Sequence, residues 1–183
     1  MARCAHEDRL SGTGYAMLTG VAEEASLKAF YPEPGKSGIH RPYVNFSDCR
    51  IRLANIYVGR PRKLTNNQFL QTGFTHRKAE KVKNVIFLVW KFLSQRGGIR
   101  AAWITLRLQL TLMAAKKKGW LYRKLRAGNL TRDAEKSCGD VLGGPIRIVV
   151  TPYGGLSLDV DNEEDYRILD QRFEEWSKIE PPA

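Results

Sequence analysis

PIRIVVTPYGGLSLDVDNEEDYRILDQRFEEW, residues 145–176, is the stretch whose reading decides the fold. Two short apolar runs, 146–150 and 156–160, flank Pro152-Tyr153-Gly154-Gly155 and read as two strands joined by a turn. A helix follows. Asp161 or Asn162 can cap it, and Glu163, Glu164 and Asp165 set negative charge against its positive end. Tyr166, Leu169, Phe173 and Trp176 recur at helical spacing and predict one apolar face. Asp159 and Asp161 therefore stand at a strand-to-helix junction, the carboxyl end of a strand, where α/β sheets bind ligands. The same residues also serve as an ordinary helix cap.

Working outward, residues 15–22 (YAMLTGVA) predict a strand, and 43–46 and 52–58 predict two more. Asn55 falls inside the last of these. Asparagine is unfavourable in a strand, so it marks an exposed position, a bulge, or an amide that binds a ligand. The Glu33-Pro34-Gly35-Lys36-Ser37-Gly38 block ends like a phosphate-binding loop, but Phe30 stands where that motif needs its first glycine, and the block reads as a loop. Residues 66–96 predict a helix that Gly97-Gly98 breaks. Residues 99–113 are ambiguous. Ile104, Leu106, Leu108, Leu110 and Leu112 alternate as in a strand, whereas Ile99, Trp103, Leu106, Leu110 and Met113 form a helical stripe.

Two blocks carry a resemblance. LDVDNEEDYRIL is similar to the closing "(I/L)DIDTPEDL" of the MobA-like nucleotidyltransferase superfamily. Tyr31-Pro32, then Arg41-Pro42-Tyr43-Val44-Asn45-Phe46-Ser47-Asp48, then Leu53-Ala54-Asn55-Ile56-Tyr57-Val58, resembles "YP…R-x-Y-x-x-F-x-D-G-x-x-x-G-A-N-L-F" of one branch. Cys49 stands at the turn glycine of that pattern, and Leu53 at the glycine before Ala-Asn. The resemblance runs from about residue 15 onward, so it covers the superfamily's C-terminal portion only. It implies an α/β chain with an incomplete Rossmann-like sheet of the nucleotide-diphospho-sugar transferase type and a helical basic insertion. It also implies two helices across 99–113, and the weak β preference of leucine agrees, so helix is the expectation there.

By the same resemblance, Asp161 would be the second ligand of a Mg2+ ion and Asp159 would support it or take the outer shell. Asn55 would bind the acceptor substrate or the nucleotide sugar. The reaction implied moves a nucleotidyl group from an NTP to an acceptor and releases pyrophosphate. The superfamily also opens with a glycine-rich triphosphate loop carrying Thr-Arg and Lys, and later presents an Asp for the first side of the metal. Neither is found here; Leu10-Ser11-Gly12-Thr13-Gly14-Tyr15 reads as a turn. The expectation is an acceptor-side part, a fragment that alone binds nucleotide weakly or not at all. Its open sheet edge would suit a partner chain that completes the sheet.

Composition sets the frame. The 183 residues carry 43% apolar residues, enough for one globular domain, expected as a polar segment at 1–14 and a single α/β domain at 15–183. Within it, strands are expected at 15–64, a basic helical region at 65–141, and a strand-strand-helix end at 145–179. Cys4, Cys49 and Cys138 lie far apart and suggest neither a disulfide framework nor zinc. The N-terminus is polar and mixed in charge, unlike a signal peptide, so a cytoplasmic location is expected. Net charge is +11, unevenly spread: residues 77–126 hold 14 Lys or Arg against Glu80 alone, while 159–180 hold nine acids and three bases. The bases interleave with Trp120 and Tyr122. That pattern admits nucleic acid, an anionic membrane surface, or a solvated helix end. A non-catalytic basic binding module is thus the alternative function.

Overall fold

The computed structural model describes residues 14–66, 71 and 89–179. Apart from Gly14, the segment 1–14 lies outside them, as does most of the helix expected at 66–96; residues 89–93 are helical.

Four strands form one mixed sheet in the order β2-β3-β1-β4. Strand β1 (Met17–Glu23) lies at its centre, antiparallel to β3 (Arg50–Gly59) and parallel to β4 (Ile146–Thr151). Neighbours on both sides explain why Leu18, Val21 and Ala22 are almost fully buried. Strand β2 (Val44–Asn45) pairs with β3 only through Val44↔Ile51 and Asn45↔Arg50. Beyond these pairs no strand among the described residues lies on that edge of β3. The carboxyl ends of β1 and β4 and the amino end of β3 come out at one end of the sheet.

A short helix, α1 (Glu24–Leu27), follows β1, and helices α2 (Gly98–Ala114), α3 (Trp120–Ala127) and α4 (Thr131–Leu142) form the basic layer. Leu108 of α2 and Ala134 of α4 pack on Val21, Phe46 and Ile51 of the sheet side. Residues 99–113 are thus helical: Leu108 and Thr111 point inward, and alternate leucines fall on two faces of one helix. A buried polar network ties this layer to β2. Asn129 donates to Thr111 Oγ1 at 2.9 Å and to the Asn45 carbonyl at 3.3 Å, and accepts from Arg107 Nε at 2.9 Å. Tyr122 donates its hydroxyl to Asn45 Oδ1 at 3.2 Å.

Two expectations from the sequence are corrected at the C-terminal end. Residues 156–160 are not a strand: Gly154–Ser157 is a 3-10 turn and the chain then runs irregularly to the last helix, α5 (Glu163–Trp176). The turn is wedged tightly, since a Cβ on Gly154 would sit 2.1 Å from the Ser26 carbonyl oxygen. Leu158 is drawn into the core beside Phe30, Ile39 and Trp176, while Val160 is exposed. Each run holds buried positions, but among the described residues no strand pairs with the second.

The face of α5 is the other correction. Trp176 is buried, meeting Phe30 edge-on at 5.3 Å between ring centres, whereas Tyr166 and Phe173 are exposed. Asp165 and Arg172 occupy the inner positions instead. Arg172 donates to the carbonyls of Tyr31 (3.2 Å) and Ser37 (3.0 Å) and to Glu175 (2.6 Å), with its guanidinium over the Trp176 ring. Loop carbonyls without a ladder partner need donors, and a long buried guanidinium supplies several at once.

Candidate functional site

Asn55, Asp159 and Asp161 come together beside the middle of β3, although Asn55 and Asp159 lie 104 residues apart. A β-bulge makes this reach. The register of β1 on β3 slips between Thr19 and Val21, so that residues 54–56 arch over Gly20. A Cβ on Gly20 would lie 3.2 Å from the Ile56 carbonyl oxygen, and glycine lets the two backbones approach. The bulge re-aims Asn55, whose Nδ2 donates to Asp159 Oδ1. The other oxygen of Asp159 faces Arg52 at 3.6 Å. Both oxygens of Asp159 are therefore committed.

Asp161 is held differently. Asn162 is the cap of α5 and accepts from the Asp165 N–H at 2.9 Å. Asp165 turns its carboxylate back and accepts from the Asp161 N–H at 3.2 Å. That carboxylate, only 6% exposed, is paired with Arg41. Arg41 also faces Asp161 Oδ2 at 3.6 Å. The Asp161 side chain is 68% exposed, and its other oxygen has no partner among the described residues.

Three carboxylates thus meet two guanidiniums, a local charge of −1 beside the positive end of α5. Arg52 is the more enclosed of the two guanidiniums, at 11% exposure against 29% for Arg41. Burial pushes its guanidinium below the usual arginine range, and Arg41 adds to that, while Asp159 and Asp161 work against it. It stays a cation beside the Asp159 carboxylate.

The donor set decides whether magnesium fits. No group of three or more His, Cys, Asp or Glu among the described residues could hold a metal by itself. Magnesium, however, commonly takes one or two carboxylates and completes its shell with water and phosphate oxygens. A half-site of that kind fits: Asp161 has a free oxygen facing solvent, with Asp159 locked behind it. Arg41 would not be stranded by a metal on Asp161, because it keeps Asp165.

Sequence reading named Asn55, Asp159 and Asp161 as candidates but not Arg41, Arg52 or Asp165, the groups that the structure sets against them. Asp165 was visible as a first-turn acid. Arg41 opens the quoted Arg-Pro-Tyr block, yet nothing local joins it to a residue 124 positions later.

Comparison with protein-family models and with curated proteins finds no match. Among solved structures, the chain is similar to one described as a hypothetical transferase from Thermus thermophilus, with a TM-score of 0.51 and 19% sequence identity. The similarity covers 88% of this chain and 56% of that one, so the chain spans just over half the length of its neighbour. At this identity the likeness is one of fold, a mixed α/β arrangement shared with a protein described as a transferase.

Proposed function

We propose that the chain is the acceptor-side part of a magnesium-dependent nucleotidyltransferase of MobA-like type, and that its sheet belongs to a larger Rossmann-like one. The observation that carries this reading is the joining of Asn55 to Asp159 at the bulge of β3, with Asp161 near them. A non-catalytic binding module gives no reason for a bulge that carries an asparagine onto a carboxylate. The transferase-like fold of the neighbour points the same way.

Each side chain has a part in this reading. Asn55 spends one amide hydrogen on Asp159, which orients the amide and leaves its carbonyl oxygen to receive an acceptor hydroxyl. Arg52 and Asp159 keep that orientation fixed. Asp161 would hold the magnesium ion, which when bound offsets charge on the phosphate oxygens. Asp165 and Arg41 fix the backbone and position of Asp161. The triphosphate would be cradled elsewhere, by a nucleotide-binding part whose strand lies along the open edge of β3.

The test is magnesium-dependent pyrophosphate release from the four ribonucleoside triphosphates, using protein purified from its source cells through this chain. Release is expected to fall about a hundredfold in Asp161→Asn and about tenfold in Asn55→Ala. No release from any triphosphate, or release indifferent to Asp161→Asn, overturns the reading.

A further inference from the structure

The outer face of α2 is the largest feature that the proposed chemistry leaves without a role. Ile99, Trp103, Leu106, Leu110 and Met113 recur at steps of four and three along one side of this helix, and all are exposed, Ile99 and Met113 at 73% each. The inward side is already taken up by Leu108 and by Thr111 in the buried network. Exposed apolar groups in this number and alignment mark an interaction surface rather than scattered surface residues.

The surrounding charge says what kind of surface it meets. Residues 97–132 contain nine Lys or Arg and no acid, with Lys116, Lys117 and Lys118 directly after α2. Helix α3 then begins with exposed Trp120 and Leu121, and Lys124 lies 5.1 Å over the Trp120 ring. A second copy of the chain would bring bases against bases. Nucleic acid would meet the bases but would press its phosphates on Ile, Leu and Met, which offer them nothing. An anionic bilayer satisfies both parts: acyl chains accept the aliphatic stripe, headgroups accept the lysines, and tryptophan suits the boundary. No described helix is long and apolar enough to cross a membrane, so α2 would lie flat on it.

We infer that the outer face of α2, with the lysine run after it and the start of α3, docks on an anionic lipid surface. The inference is independent of the transferase reading.

Cosedimentation of the full chain with phosphatidylcholine vesicles, with and without phosphatidylserine, tests it. The chain is expected to pellet only with the anionic vesicles and to be released by high salt. Lys116→Gln/Lys117→Gln/Lys118→Gln should lower partitioning roughly a hundredfold. Leu106→Asp/Leu110→Asp, on partly exposed positions and with the folded state checked by circular dichroism, should lower it roughly tenfold or more. Equal pelleting with neutral vesicles overturns the inference. So does no pelleting at all, whether the stripe instead pairs two copies that the leucine variant separates, or the lysines instead hold single-stranded nucleic acid whose binding the leucine variant spares.

Discussion

Two polar networks sit on opposite sides of the sheet and are built to different rules. The one around Asn129 is buried and closed: its amide donors, its carbonyl acceptor and the Thr111 hydroxyl are all engaged within the protein. The one around Asp159 and Asp161 is charged and partly open, with one carboxylate oxygen and part of one amide left over. A closed network beneath a helical layer serves the fold, because every buried polar group is already satisfied. An open network with unspent acceptors has capacity for a ligand.

The contrast can be broken most forcefully on the closed side. Asn129→Leu would take away the acceptor of Arg107 Nε and the amide donor to Thr111 Oγ1 and the Asn45 carbonyl, and is expected to cost about 3 kcal/mol, read from urea unfolding. On the open side the interior of the network matters next. Arg41→Ala would strand the enclosed Asp165 carboxylate and should cost about 2 kcal/mol in the same measurement, Arg41 being partly exposed. Asp161→Asn sharpens the comparison from the other direction. It should change stability by no more than about 0.5 kcal/mol, because the side chain is exposed and its backbone is held by Asp165.

The smallest effect is one of pH. The Arg172 hydrogen bond, then that of Lys36, hold the Glu175 carboxyl below the usual glutamate range. A depressed carboxyl adds stability that is complete above the usual range and is lost as pH falls through the lowered value. Glu175→Gln and the parent should therefore differ slightly at neutral pH and converge in acid, as followed by thermal unfolding across the acid range.

How much of this could be read from the sequence depended on distance along the chain. The cap of α5 was legible because Asn162 and Asp165 are three residues apart. Strands β1, β3 and β4 were legible because buried strands carry short apolar runs. What failed was partner choice. The run 156–160 has strand-like composition, but its apolar positions settle beside Phe30 and Trp176 rather than along another strand. On α5, the apolar stripe suggested Tyr166 and Phe173 for the core. Carbonyls of Tyr31 and Ser37 claimed Arg172 instead, and turned the helix accordingly. In the candidate site, a resemblance picked out the three residues, whereas the arginines that hold them answer to contacts far away in sequence.

The parallel pairing of β1 with β4 has a consequence for how the molecule is made. Met17 through Ala22 must wait for Ile146 through Thr151, which leave the ribosome only after all the residues between the two strands. Until then β1 can zip to β3, but its other edge stays bare during synthesis. Closing so long a loop is entropically costly and slows folding. The central strand is thus synthesised well before its second neighbour and is among the last parts of the sheet to be finished, which makes the nascent chain a natural client for chaperones.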